Sequence, residues 1–310
     1  MKWIHFLMAA ALLSSLGGNL SGAQEASSAN SPVHMIVTAE SRHGAKVPVI
    51  TRDDVMVFEG RDKDQVTGWI PAQGDHAALE LFLLIDDSAS GSLGSELENL
   101  RQFVNAQPPS TLVGVAYMQN GIAKILQNPT AEHAQAAKQL RLPLGIGGAN
   151  GSPYFSLSDL VRRWPPSNAR HEVLMVSSGI DRYYGAGDLS NPYLEAAIED
   201  AGRAGVVVSA IYTPDDGHFG HSRWQSYWGQ LYLSQLAERT GGEAYYIGFS
   251  GTPVTFAPYL DDLAHRFEHQ YILAFIPQPQ TRAGWQRVRL ATEVPNVDLV
   301  SAGRIHVGER

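Results

Sequence analysis

Three oxygen-bearing side chains, Asp86, Ser88 and Ser90, stand at alternate positions directly after the apolar run 81–85. One carboxylate and two hydroxyls on a tight turn offer the oxygen ligands that a hard divalent cation prefers. An apolar run of this kind predicts a buried strand, and open α/β sheets bind ligands beyond the carboxyl ends of such strands. The spacing therefore predicts a site for Mg²⁺, or alternatively Mn²⁺ or Ca²⁺, at the end of this strand.

The segment that must hold this turn, residues 78–268, alternates between apolar strands and amphipathic helices. Strands separated by helices of about ten to fifteen residues are typical of βαβ units. Because such crossovers are right-handed, the pattern predicts an α/β fold with a doubly wound, mainly parallel sheet and helices on both faces.

Two segments with short strand-like runs flank this frame, at 33–77 and 269–310. The first is predicted to hold two to four strands, and the second to hold three, including one continuous strand over 297–307. Because the two ends of a domain are often close in space, we expect the flanking segments to pair into one small β element, a sandwich.

The N-terminal residues 1–23 have the composition of a secretory signal peptide. A positive charge precedes the mostly apolar run 4–16, which is shorter than the ~20 residues that a membrane-spanning helix needs. Cleavage after Ala23 would export the protein to the periplasm or the medium, with 24–32 as a flexible linker. A retained N-terminal anchor is the alternative, and no later segment reaches spanning length.

The composition excludes several classes of protein. A net charge of −8 and a sequence pI of about 5.7 leave no basic stripe to neutralise phosphates, so nucleic acid is not an expected partner. The chain contains no cysteine, which excludes disulfides, thiol catalysis and cysteine-ligated iron-sulfur clusters. A chain of 310 residues can build a sufficient core without cross-links, which favours a bacterial cell envelope over a disulfide-rich extracellular module.

The Asp-x-Ser-x-Ser turn after a buried strand, in an alternating α/β frame, resembles the metal-ion-dependent adhesion site of a von Willebrand factor A domain. Residues 53–60 and 269–274 are similar to the segments that flank this domain in bacterial, exported VWFA-related proteins. The resemblance implies a vWA-like fold for 78–268 and a protein partner whose exposed carboxylate completes the coordination of the cation.

The same resemblance implies two further loops, one supplying a Thr and one an Asp. Ser152, in a glycine-rich stretch, stands where the Thr would be, and a Ser hydroxyl can replace it as a neutral ligand. Ser178 stands where the Asp would be and removes a negative charge, which weakens the binding of a hard cation. Asp181, three residues on, is a candidate to act through a water; its alternative role is a carboxylate at a helix start or on the surface of a loop.

Two weaker patterns lie on other loops. His218 and His221 follow Asp215 and Asp216, which suggests a transition-metal patch, with a solvated loop as the alternative. Six aromatic residues beyond strand ends could form a rim around the cation site or pack a long loop onto the core. They are Tyr183, Tyr184, Trp224, Tyr227, Trp228 and Tyr232.

The first functional hypothesis is a non-enzymatic, exported adhesion or scaffold module with a degenerate cation site. Signatures of hydrolases, phosphate-loop enzymes and zinc proteases are missing from the sequence. One alternative is a metal-free scaffold in which Asp86 and the serines satisfy backbone amides. Another is a serine hydrolase that uses Ser88 or Ser152 as its nucleophile.

Overall fold

A computed structural model describes most of the chain beyond its N-terminal region. The described residues are 32–42, 46–145, 151–185, 187–215, 222–245, 255–278 and 281–308. The predicted signal peptide, the linker up to residue 31, His218 and His221 lie outside these ranges. Across the part that is described, no helix has both the length and the apolar composition needed to cross a membrane.

The described residues form thirteen strands and six α-helices. The strands are β1 Val33–Ser41, β2 Val55–Glu59, β3 Asp62–Pro71, β4 Leu79–Asp86, β5 Thr111–Gln119, β6 Ile122–Thr130, β7 Arg170–Ser177, β8 Val206–Tyr212, β9 Ala244–Tyr245, β10 Gln270–Ile276, β11 Gly284–Thr292, β12 Val297–Val300 and β13 Arg304–Val307. The helices are α1 Leu97–Asn105, α2 His133–Lys138, α3 Pro153–Arg163, α4 Pro192–Ala204, α5 Arg223–Thr240 and α6 Ala257–Glu268.

A six-stranded sheet in the order β6-β5-β4-β7-β8-β9 forms the centre of the α/β domain. Its neighbouring strands are parallel except for β6, which runs antiparallel at one edge. Numbered along the chain, this order is 3-2-1-4-5-6, so the direction of winding reverses between β4 and β7. The predicted doubly wound, mainly parallel sheet is confirmed, and the Asp-x-Ser-x-Ser turn lies at its switch point.

Strand β4 explains why this sheet is buried on both faces. Successive side chains point to opposite faces, so Leu81 and Leu83 pack with α1 and α6, whereas Phe82 and Leu84 pack with α3, α4 and α5. A strand covered on both faces needs apolar residues on both of them, which is why residues 81–85 form an unbroken apolar run in the sequence. Burying each such side chain contributes about 1.5–3 kcal/mol.

The flanking segments pair with each other, as predicted, but they form one curled antiparallel sheet instead of a sandwich. Its seven strands follow the order β12-β1-β10-β3-β2-β11-β13. The predicted single strand over 297–307 is wrong, because residues 301–303 form a connection that separates β12 from β13. These two strands pair at opposite ends of the order, with β1 and β11 respectively. A connection of three residues can join these two end strands only if the sheet curls and brings its ends together.

The α/β domain is inserted between two neighbouring strands of the curled sheet. Strand β3 ends at Pro71, which pairs with Tyr271 near the start of β10. The rings of Trp69 and Tyr271 stack with centroids 4.3 Å apart at this junction. The chain therefore leaves the curled sheet and returns to it at adjacent points.

Buried ionisable side chains join the two domains. Glu172 on β7 accepts a hydrogen bond of 2.5 Å from Gln270 Nε2 on β10, and Gln270 also contacts the buried Arg170. Arg266 of α6 pairs with Glu40 of β1 at 2.5 Å. Burial is the main reason that the pKa of Glu172 is raised to about 7, with Arg170 acting in the opposite direction.

This shift predicts that the protein loses stability as the pH rises. Between the ordinary pKa of 4.5 and about 7, the folded state keeps a proton on Glu172 that the unfolded chain has released. The free energy of unfolding should therefore be highest near pH 4.5 and fall by on the order of 3 kcal/mol by pH 7 through this group. Urea unfolding between pH 4.5 and 8 measures the effect.

Glu172→Gln is the matched variant, because it cannot ionise. Asp64, whose pKa burial raises to about 6, remains in both proteins, so the difference between the two pH curves isolates Glu172. Parallel curves for the wild type and Glu172→Gln would show that Glu172 ionises alike in the folded and unfolded states.

Candidate functional site

Asp86 ends β4 and closes the turn that follows it. Its Oδ1 accepts hydrogen bonds from the backbone N–H of Ser88 at 2.9 Å and from Ser88 Oγ at 2.6 Å. Its Oδ2 accepts one from Ser177 Oγ, at the end of the neighbouring β7, at 2.8 Å. Asp86 is only 6 % exposed. The carboxylate thus lies between the ends of β4 and β7, where the sheet changes direction.

Ser90 connects the same turn to the loop after β8. Its backbone N–H donates to the carbonyl of Pro214 at 2.8 Å. Its Oγ accepts from the N–H of Ser92 at 3.3 Å and caps a short 3₁₀ helix, Gly91–Glu96. The backbone bond brings the residue after Pro214 to the site.

That residue is Asp215, which follows β8 and places a second carboxylate beside the turn after β4. Its Oδ1 lies 3.1 Å from Ser88 Oγ, and its Oδ2 accepts from Arg182 Nη2, also at 3.1 Å. Ser178 acts on Asp215 in the direction that lowers its pKa, opposite to burial. Asp215 is 1 % exposed, so the two carboxylates share the Ser88 hydroxyl in a nearly dry environment.

The electrostatics of this pair are unfavourable for two full charges. Burial, followed by the neighbouring Asp86 carboxylate, raises the pKa of Asp215 from its ordinary 3.8 to about 7, although Arg182 acts in the opposite direction. Like charges held close together in a site of low dielectric cannot both ionise freely. One guanidinium therefore compensates two carboxylates, and a proton or a further cation balances the remaining charge.

Asp215 was missed as a site residue because its sequence neighbours suggested a local patch with His218 and His221. A usable signal was present: Thr213, Pro214 and Asp215 directly follow the buried strand β8. Since the carboxyl ends of parallel strands meet at one edge of a sheet, the rule that selected Asp86 also applies to Asp215.

Ser152 and Asp181 form a cluster of their own. Ser152 caps α3 by accepting from the N–H of Tyr154 at 3.2 Å, and its Oγ donates to Asp181 Oδ2 at 2.8 Å. Asp181 Oδ1 accepts from the backbone N–H groups of Tyr183 and Tyr184 at 2.8 and 3.0 Å. Asp181 thus holds the loop after β7 in place, but it is fully buried, so it is not the surface or helix-start carboxylate that the sequence left open as its alternative role.

Asp87 faces a different set of partners from Asp86. Its two carboxylate oxygens accept a bidentate pair from the Arg141 guanidinium at 2.7 and 2.8 Å. Gln119 Nε2 and the backbone N–H of Leu144 donate to it as well, at 2.5 and 3.0 Å. Asp87 therefore holds the segment after α2 in place. Its carboxylate points away from the cluster around Asp86, which fits a turn whose alternate residues, Asp86 and Ser88, face that cluster.

Of the six aromatic residues proposed as a rim, four are exposed, Trp228 is half-buried and Tyr232 is buried. Tyr183 is 65 % and Trp224 60 % exposed, and Tyr184 and Tyr227 are also exposed. Tyr232, by contrast, is fully buried, and its hydroxyl donates to the carbonyl of Asp188 at 2.7 Å. The four exposed residues, Tyr183, Tyr184, Trp224 and Tyr227, are called the exposed rim below.

The donor set can be compared with the needs of a hard cation. Asp86, Asp215 and the hydroxyl of Ser88 offer oxygen atoms only, which fits Mg²⁺ together with water molecules. Within the described ranges, no group of three or more His, Asp or Glu side chains could hold a metal ion. The binding of a cation here would therefore depend on two carboxylates, and it would require Asp215 to release its ion pair with Arg182.

Comparison with known proteins finds likeness of structure alone. No protein-family model matches the chain, and no curated protein matches it. An aerotolerance-related membrane protein from Bacteroides fragilis is 12 % identical and has a TM-score of 0.46, over 61 % of this chain and 98 % of that one. BatB from Bacteroides thetaiotaomicron is 14 % identical with a TM-score of 0.44, over 61 % and 97 % of the two chains. The VWA domain of SpRpn10 is 12 % identical with a TM-score of 0.37, over 60 % and 94 %.

Proposed function

We propose that this chain is an exported, non-enzymatic protein-binding module that holds an acidic group of its partner through a divalent cation at the end of β4. The observation that carries the proposal is the position of Asp215, whose carboxylate shares the Ser88 hydroxyl with Asp86. Export rests on the predicted signal peptide, and the absence of an enzymatic role rests on the missing catalytic motifs.

Asp215 changes the charge argument made from the sequence. Ser178 lacks the charge of the Asp that the family resemblance implies at this position, but it acts on Asp215 in the direction that lowers its pKa. Asp215 comes from the loop after β8, and together with Asp86 it gives the cluster two acidic groups instead of one. Because the affinity for hard cations rises with the charge of the ligands, Asp215 compensates for the replacement at 178.

The exposed rim supplies the second part of the proposed interface. Tyr183 follows Arg182 directly, so the exposed aromatic surface adjoins the residue that pairs with Asp215. Tyr and Trp dominate the binding energy of many protein interfaces, where they surround or fill desolvated pockets. A partner that presents a carboxylate to the cation would bury these rings around it.

A metal-free scaffold is the second candidate, favoured by the ion pair of Arg182 with Asp215. Its Nη2–Oδ2 distance is 3.1 Å, and both side chains are largely buried. In this reading the guanidinium is the permanent counter-ion of the cluster, and the partner binds the rim without a cation.

Calorimetric titration with Mn²⁺ and Mg²⁺ separates the two candidates. We expect Asp86→Ala to abolish binding, and Asp215→Asn to weaken it about tenfold or more, equivalent to about 1.4 kcal/mol. Arg182→Gln should tighten it, because the competing charge is removed. Asp188→Asn is the matched control, since it removes an exposed carboxylate from the loop that follows β7. If the wild type releases no heat with either ion, the metal-free candidate replaces the first.

A further inference from the structure

Two histidines, His265 and His269, lie one helical turn apart where α6 ends and the chain passes into β10. They are called the histidine pair below. In the same turn, the carbonyl of Phe267 accepts a hydrogen bond of 3.4 Å from Arg170, the first residue of β7. Because Asp86 ends the parallel neighbour β4, the histidine pair lies at the opposite end of the sheet from the Asp86 cluster.

The two imidazole rings are already in contact. Their centroids lie 4.2 Å apart, and the ring planes are inclined by 29°. Side chains at positions i and i+4 of a helix lie on one face, and this spacing lets two histidines bind one metal ion. In a tetrahedral site with Zn–N bonds of about 2.0–2.1 Å, two ligand nitrogens lie about 3.3 Å apart. Rings in contact reach that separation by a small rotation.

A hydrogen bond determines which nitrogen of His269 is available. Its Nδ1 lies 2.8 Å from the backbone carbonyl oxygen of His265. A carbonyl oxygen can only accept, so Nδ1 carries the proton and Nε2 of the neutral ring keeps its lone pair. Most metal-binding histidines are held in this way, with one ring nitrogen donating to a carbonyl or carboxylate and the other on the metal. His269 is therefore already oriented as a ligand.

Both rings are accessible to an ion from solvent. His265 is exposed and His269 is half-buried. The ring of His265 makes no hydrogen bond within the part of the chain that the structure describes, so it can turn towards an ion without losing one. Imidazole nitrogen suits Zn²⁺, Cu²⁺ and Ni²⁺, whereas the carboxylates around Asp86 suit Mg²⁺. The two sites therefore differ in the class of ion that they select.

The charges around the histidine pair favour a cation. Asp261, one turn before His265, and Glu268, three residues after it, are both exposed. Arg266 lies between the two histidines, but its guanidinium is buried and pairs with Glu40 at 2.5 Å. The C-terminal end of a helix also carries a partial negative charge. A divalent ion here would thus meet two carboxylates and the end of the helix, with the neighbouring arginine turned away.

We propose that His265 and His269 chelate a divalent transition metal ion, Zn²⁺, Cu²⁺ or Ni²⁺, through Nε2 of His269 and one ring nitrogen of His265. Water fills the other positions, since the described ranges offer no group of three metal-ligating side chains. The carbonyl of His269 accepts from the N–H of Ala39 in β1 at 3.0 Å, and the next residue begins β10. The ion therefore clamps the last turn of α6 to the residue that enters the curled sheet.

The test is calorimetric titration of the chelator-treated full chain with Zn²⁺ and Ni²⁺ in excess Mg²⁺, with thermal unfolding of the same samples. We expect the wild type to bind Zn²⁺ and its Tm to rise, because a ligand that binds only the folded state stabilises it. His265→Gln and His269→Gln should each weaken binding at least tenfold, equivalent to about 1.4 kcal/mol, because chelation by two ligands is lost. Without metal, His265→Gln should keep the Tm of the wild type, since the residue is exposed. Wild-type affinity in either variant, or no binding by the wild type, overturns the proposal.

Three variants serve as controls, and each should bind Zn²⁺ like the wild type. Asp86→Ala separates this site from the cation site proposed above, so that either can fail alone. Asp261→Asn removes a nearby charge but no ligand. The double variant His218→Gln, His221→Gln removes the other two histidines that the sequence places close together. Loss of binding in any of the three would place the ion elsewhere and overturn the proposal.

Hydrogen exchange of the Ala39 amide tests the clamp itself. This N–H donates to the carbonyl of His269, so fixing that residue should slow its exchange when Zn²⁺ is bound. The same amide in His265→Gln should exchange at one rate with and without Zn²⁺. If Zn²⁺ binds through both histidines and the exchange of Ala39 does not change, the ion does not clamp the junction.

Discussion

A methyl group added at position 229 is expected to lower the free energy of unfolding by about 3 kcal/mol and to disturb the proposed cation site at the same time. A Cβ on Gly229 would lie 2.0 Å from the carbonyl oxygen of Ser178. In the reverse direction, a Cβ on Gly179, whose φ is +68°, would lie 2.3 Å from the carbonyl of Gly229. Helix α5 and the loop after β7 thus meet backbone to backbone, and no flexible side chain can move aside.

Urea unfolding of Gly229→Ala measures the loss of stability. In an open helix the same change would stabilise by up to about 1 kcal/mol through helix propensity, so a net loss identifies the close contact. Glu238→Ala, at an exposed position of the same helix, should change stability by no more than about 0.5 kcal/mol. Since Ser178 moves with the loop, the Mn²⁺ affinity of Gly229→Ala should fall as well. Unchanged stability and affinity would mean that α5 can shift away from the loop without penalty.

Asp87→Ala is expected to destabilise the protein by about 3 kcal/mol, because breaking a buried ion pair leaves its partner uncompensated. Asp87 is fully buried, and the Arg141 guanidinium lies 3.9 Å above the centre of the Tyr117 ring. Burial raises the pKa of Asp87, but the hydrogen bonds from Arg141, Gln119 and Leu144 outweigh it, so that the pKa is lowered overall. The carboxylate therefore stabilises the fold above its ordinary pKa, and this contribution is lost as the pH falls through the lowered value.

A double-mutant cycle with Arg141→Met tests the origin of this effect. The double variant Asp87→Ala, Arg141→Met should recover part of the stability, because neither charge is then left without a partner. Asp87→Asn keeps the size of the side chain and should fall between the wild type and Asp87→Ala. Strictly additive losses in the cycle would show that the two side chains do not act as a pair.

The sequence was sufficient for the features that depend on local periodicity. The apolar run 81–85 within β4 predicts a strand covered on both faces, and the alternation of strands and helices that follows it predicts the doubly wound sheet. Features that depend on distant partners were not accessible in this way. Asp215 reaches the site through the bond from Ser90 to Pro214, and β12 pairs with β1 from the far end of the chain. Periodicity shows which face of a strand is buried, but it does not identify the neighbouring strand.

Ser152 and Asp181 illustrate the same limit within the site. Ser152 was identified from the position that the family resemblance implies for a Thr, and Asp181 from its place three residues after Ser178; each carries an oxygen beyond the end of a strand. Their hydrogen bond of 2.8 Å pairs them with each other, which depends on how two loops meet in space. Residue type and spacing select the oxygen donors, while the packing of the loops decides which of them face one another.

The insertion of the α/β domain between β3 and β10 predicts an order of folding. The elements from Leu79 to Glu268 are contiguous and can fold once they have been synthesised, whereas the curled sheet must wait for β10 to β13. In an unfolded chain, pairing Pro71 with Tyr271 would close a very long loop at a large loss of chain entropy. Once the inserted domain has folded, its two ends lie side by side and most of that loss has already occurred. The folded α/β domain thus nucleates the curled sheet. A substitution that slows the folding of the α/β domain should therefore delay the formation of both.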